Sequence, residues 1–156
     1  MSLNRAVEVL QEMPLFRNVD PKQLKVVAMT GEPRTYRAGE RLFEKGDEGD
    51  AAYIILEGEV NVLVPANGGE HPVAVLGKAE IFGELAVLCE QPRSTAIAAR
   101  TDIEVLRIDR SMVLNLMREF PDITLEMVRI LGRRLERTSY ELSQALSDLE
   151  ADSDGR

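Results

Sequence analysis

Phe82-Gly83-Glu84-Leu85-Ala86, followed after a short turn by Pro92-Arg93-Ser94-Thr95-Ala96, gathers a helix-opening glycine, a carboxylate and a lone arginine into one small, mostly apolar cassette. A glycine lets backbone approach a ligand closely, and a helix N-terminus offers unpaired N–H groups to an anion. Glu84 is suited to accept a hydrogen bond from a sugar hydroxyl, and Arg93 to neutralise a phosphate through charge-assisted bonds. Together these groups fit a ligand that is both a sugar and a phosphate.

Outward from the cassette, residues 34–109 read as short strands broken by turn signals. Residues 52–56 form an apolar run, and Val60, Val62 and Val64 alternate with Glu59, Asn61 and Leu63 as a strand with one buried face. Asn67-Gly68-Gly69 turns the chain into residues 71–76, and two later strands, 95–99 and 103–108, are split by Arg100-Thr101-Asp102. Such spacing predicts a sandwich or barrel rather than a parallel sheet with helical crossovers.

Helices flank this block. Leu3, Ala6, Val7 and Leu10 recur at helical spacing before Pro14, and Asp20-Pro21 starts a second helix that runs to about Gly31. Ser111 is expected to cap a short helix that Phe120-Pro121 breaks. A longer one follows from near Asp122 to about Leu149. Within it Val128, Leu131, Leu135, Thr138, Leu142, Ala145 and Leu149 advance by alternating threes and fours. That heptad seam is narrow, which favours a partner helix over the chain's own sheet. The expected layout is a helical lead-in over 1–31, a β block over 32–110 with the cassette at 82–96, helices over 111–150, and a frayed polar tail over 151–156.

Composition restricts the functional classes. With 44% apolar residues in 156 the chain has the material for one real core. A net charge of −8, from 27 acidic and 19 basic residues, does not suit a chain that grips nucleic acid by itself. No apolar run is long enough for a membrane span, and residues 1–5 lack the apolar core of a signal peptide. A cytoplasmic location is expected, in keeping with a single cysteine, Cys89, itself expected to be a small buried hydrophobe. One cysteine and one histidine, His71, do not make a closed zinc site, and no nucleophile elbow, Walker loop or carboxylate pair is present. The expectation is a binding module, not an enzyme, with no catalytic cofactor.

The cassette resembles the phosphate-binding cassette of cyclic-nucleotide-binding domains. Ala38-Gly39-Glu40, Gly46-Asp47, Tyr53-Ile54-Ile55-Leu56 and Gly58-Glu59-Val60 resemble that family's glycine-punctuated early strands, and Leu15-Phe16 with residues 20–24 its helical lead-in. The resemblance implies an eight-stranded jelly roll with flanking helices, including a long C-terminal one. It also implies roles. Arg93 would pair with the exocyclic oxygens of a cyclic phosphate and Glu84 would hold the ribose 2′-hydroxyl. Gly83, Leu85 and Ala86 would donate backbone N–H groups, and Ser94 would add a hydroxyl to the phosphate or the base.

A narrower likeness concerns the long helix. Arg133-Arg134-Leu135-Glu136-Arg137-Thr138-Ser139 is similar to the dimerising helix of the bacterial catabolite activator class, where a Thr-Ser pair meets the adenine amino group and the serine reaches across from the partner subunit. It implies base contacts from Thr138 and Ser139, an approach of Arg134 to Glu84, and a homodimer through this helix. The ligand expected is cAMP, with cGMP open, since hydroxyls also donate to a guanine carbonyl. That class continues into a helix-turn-helix, whereas this sequence ends at Arg156. A stand-alone module and an excised regulatory half both fit, with the output going to a downstream protein partner or to a further domain. The rival expectation is a jelly-roll interaction module with another ligand or none.

Overall fold

A computed structural model describes residues 2–154. The helix α1 (Leu3–Glu12) is capped by the Ser2 hydroxyl, which accepts from the Arg5 amide. Its buried face is Ala6, Val9 and Leu10, so the stripe centres on Val9, while Val7 and Leu3 are only half-buried. A 3-10 turn, Pro14–Phe16, leads to α2 (Pro21–Thr30). Asp20 and Gln23 form a full capping box there, with Pro21 at the first helical position.

Eight strands follow: β1 (Glu32–Tyr36), β2 (Arg41–Phe43), β3 (Ala51–Glu57), β4 (Val60–Ala66), β5 (Gly69–Leu76), β6 (Ile81–Phe82), β7 (Ala96–Ala99) and β8 (Ile103–Asp109). They form two four-stranded sheets in the orders β1-β8-β3-β6 and β2-β7-β4-β5, and every pairing is antiparallel. This is the expected sandwich of jelly-roll type. The helix α3 (Glu84–Leu88) interrupts it between β6 and β7, and α4 (Arg110–Glu119) and α5 (Pro121–Asp154) close the chain.

The strand β3 shows why the apolar run at 51–56 is continuous rather than alternating. Successive side chains point to opposite faces. Ala52, Ile54 and Leu56 pack beneath the helices, with Leu10, Leu24, Leu106 and Met127. Ala51, Tyr53 and Ile55 pack between the sheets, with Val60, Ile97 and Val105. A strand buried on both faces has no polar side to show.

Four expectations need correction. In β4 only Val60 is fully buried; Val62 and Val64 are half-buried because the inner face there lines a cavity instead of meeting solid core. The cap of α4 is Asp109, whose Oδ1 accepts from the Met112 amide, and the Ser111 hydroxyl donates to that same carboxylate. Cys89 is exposed, because α3 ends there and its buried positions are Glu84, Ala86 and Val87. The segment 151–154 is helical rather than frayed, as the last turns of the 34-residue α5, while residues 155–156 lie outside the described residues.

Candidate functional site

The cavity lies between the inner face of β4 and β5, the cassette helix α3 and one face of α5, and measures about 800 Å³. Gly83 opens the cassette as the N-cap of α3 with φ 79, a left-handed conformation that a side chain resists. A Cβ there would lie 2.7 Å from Arg93 Nη1 and 3.3 Å from the Ala51 carbonyl, so the glycine also makes room for the arginine. Gly49 does the same for α3, since a Cβ on it would sit 2.2 Å from that of Ala86.

Arg93 and Glu84 are the two buried charged side chains of the cassette, and each is 3% exposed. Arg93 Nη1 donates to the Gly83 carbonyl at 2.7 Å and Nη2 to the Ala51 carbonyl at 2.6 Å. Its Nε is buried with no partner. The carboxylate of Asp50 stands 3.9 Å away and is bound more closely to Arg107, at 2.9 Å. Burial lowers the pKa of Arg93, and the neighbouring Tyr53 and Asp50 offset part of that. Arginine keeps its charge regardless, so burial leaves a cation short of counter-charge.

Glu84 faces the long helix. Arg134 Nη1 donates to Glu84 Oε1 at 2.5 Å, and its Nη2 donates to the Ile81 carbonyl. Burial raises the pKa of Glu84, while the Arg134 charge, a backbone N–H and Arg93 pull it back down. The approach of Arg134 to Glu84 implied by the catabolite activator likeness is therefore present as a direct ion pair.

The cavity brings together Gly83, Glu84, Leu85, Ala86, Arg93, Ser94, Arg134 and Thr138. Ser139 does not line it and is exposed on α5. The sequence reading missed Arg133, Arg137 and Glu141, which follow one another at steps of four along the helical face that carries Arg134 and Thr138. It also missed the apolar wall of Val62, Val73 and Leu76, and Phe43 beneath Arg93. Among the described residues no group of three or more His, Cys, Asp or Glu side chains is placed to hold a metal ion. No helix of the described residues is long and apolar enough to cross a membrane.

The jelly roll thus encloses a cavity lined by a buried, under-compensated arginine and a buried carboxylate. Residues 33–120 match the family described as "Cyclic nucleotide-binding domain", and the chain belongs to that family. It is 34% identical over 130 residues to the cyclic AMP receptor protein of Thermus thermophilus, covering 83% of this chain and 60% of that protein. The crystal structure of the Thermus thermophilus catabolite activator protein superposes with a TM-score of 0.75 at 34% identity, over 83% of this chain and 62% of that one. The regulatory domain of Toxoplasma gondii PKA, crystallised with cAMP, gives a TM-score of 0.64 at 28% identity, over 70% of this chain and 42% of that one. The chain spans about three fifths of the length of the curated relatives it matches first. It is a cyclic-nucleotide-binding regulatory domain, related to bacterial cAMP-responsive regulators and to kinase regulatory subunits.

Proposed function

We propose that this chain is a receptor for cAMP that signals through its C-terminal helix and acts as a homodimer. The observation that carries the reading is the joining of Glu84 on the cassette to Arg134 on α5, in the same cavity as the buried Arg93. In this reading Arg93 takes the cyclic phosphate, assisted by backbone N–H groups at Gly83, Leu85 and Ala86 and by the Ser94 hydroxyl. Glu84 takes the ribose 2′-hydroxyl, and Thr138 meets the base, with Ser139 supplied by the partner subunit. The β block over 32–110 binds, and residues 111–150 transmit.

A ribose hydroxyl that donates to Glu84 meets the group already held by Arg134. Ligand binding thus acts on the contact that fixes α5 to the cassette, and a differential contact of this kind is what shifts a helix between two positions. Coupling between sites is typically about 1–3 kcal/mol, enough for a protein partner to sense. Dimerisation is supported by the outer face of α5, where Val128, Leu135, Leu142 and Leu149 are all at least 60% exposed.

Isothermal titration with cAMP, cGMP and 5′-AMP tests the reading. Binding is expected with cAMP most tightly, cGMP more weakly and 5′-AMP least. A folded protein that gives no heat with any cyclic nucleotide would sink the receptor reading and leave the interaction-module alternative standing.

A further inference from the structure

Hydrogen bonds fix both Nη groups of Arg93 but supply no counter-charge. Its two carbonyl partners, Gly83 and Ala51, are neutral, its Nε has no partner, and the exposed Asp50 carboxylate, 3.9 Å away, is bound more closely by Arg107. A buried cation in that position needs another source of stabilisation. Aromatic rings adjoin it. Arg93 Cζ lies 4.1 Å from the centre of the Phe43 ring and 5.9 Å from that of Tyr53. Phe43 is itself braced by Tyr53 and Phe82, at 6.0 and 6.2 Å between ring centres, and those two rings stack at 5.2 Å. A register shift between Arg41 and Phe43, where β2 pairs with β7, adjoins the position that carries the ring.

We propose that Phe43 is a positioning residue for anion capture: its π face holds the Arg93 guanidinium beside Gly83 without neutralising it, so that the bound anion supplies the missing counter-charge. This rests on the reading of Arg93 as the phosphate-binding residue. A carboxylate at the same place would fix the guanidinium as firmly but would cancel its charge. A ring attracts the cation through its quadrupole and leaves the net charge for the ligand. An aliphatic side chain would fill the volume and give no such attraction.

The test is a double-mutant cycle read by cAMP titration, with ligand-observed NMR for weak binders. Phe43→Leu is expected to weaken cAMP binding about tenfold, and Phe43→Trp to stay within about twofold of the parent. In an Arg93→Gln background the same Phe43→Leu change is expected to alter affinity less than about twofold, since the partner of the ring is gone. The Arg93 Nε–H resonance, shifted by the ring current in the ligand-free protein, is expected to move toward its ordinary position in Phe43→Leu. Equal losses in both backgrounds, or a Phe43→Leu protein that binds as the parent does, overturn the positioning role alone. A parent protein with the ring-current shift that takes up no cyclic nucleotide overturns the receptor reading and this proposal with it.

Discussion

Arg134 and Glu84 stand fifty positions apart in the sequence and meet at 2.5 Å, joining the last helix to the cassette through a carboxylate that is 3% exposed. Breaking a fully buried pair from one side costs about 3–5 kcal/mol, because it strands the remaining charge. Arg134 is 35% exposed, so Arg134→Met is expected to cost less, about 1–2 kcal/mol of ligand-free stability. Urea denaturation checks this. A variant as stable as the parent would mean that water already solvates Glu84 as well as Arg134 does.

The same carboxyl predicts a pH dependence. Burial holds the pKa of Glu84 above the ordinary carboxylate range, so the folded protein keeps that proton more readily than the unfolded chain. Its contribution to stability is fully present below the ordinary range and is lost as pH rises through the raised folded value. Unfolding free energies of the parent and Glu84→Gln, followed from acid to neutral pH, isolate this component. The parent is expected to lose stability relative to the variant across that window and then run parallel to it. A parent that gains instead would show that the Arg134 charge outweighs burial.

In the proposed receptor the decisive side chain for ligand affinity is Arg93. It has no directly bonded carboxylate, and a desolvated phosphate would be paired with it alone among the buried cassette groups. Arg93→Gln is expected to weaken cAMP binding by about 2–5 kcal/mol, measured by isothermal titration. Unchanged affinity would place the phosphate elsewhere in the cavity.

Gly83 carries two constraints at once. Alanine there must adopt φ 79 and also press its Cβ to 2.7 Å from Arg93 Nη1. The backbone strain alone costs about 1–2 kcal/mol. Gly83→Ala is therefore expected to lower the melting temperature and to weaken cAMP binding together. Lowered stability with intact binding would show that Arg93 shifts without leaving the site.

Local chemistry made much of this legible. The Asp20-Pro21 helix start and the glycine that opens the cassette helix each leave a signature within a few positions, and α2 and α3 begin there. What escaped depends on contacts between distant segments. Phe43 reads as one apolar residue on a short strand, and only the fold lays it under Arg93. Cys89 looks like core by composition, yet the short turn of α3 rotates it outward. The half-buried Val62 and Val64 belong to a wall around a hollow, and alternation cannot tell a wall from a packed face.

The outer face of α5 makes the last prediction. Leu135 is 68% exposed, Leu142 60% and Leu149 65%, and they recur every seven residues. One chain leaves that stripe in water, where each leucine forgoes about 1.5–3 kcal/mol available from full burial. In the proposed homodimer a second copy of the same helix covers it through knobs-into-holes packing. Sedimentation equilibrium is expected to give the mass of two 17.4 kDa chains for the parent. The double variant Leu135→Glu with Leu142→Glu is expected to give the mass of one, because charges then face each other across the seam. Far-UV circular dichroism should stay close to that of the parent, since neither leucine packs on its own sheets. A parent that remains a single chain at every concentration, or a double variant that still pairs, would remove the seam as the site of dimerisation. It would also leave Ser139 with no second cavity to reach.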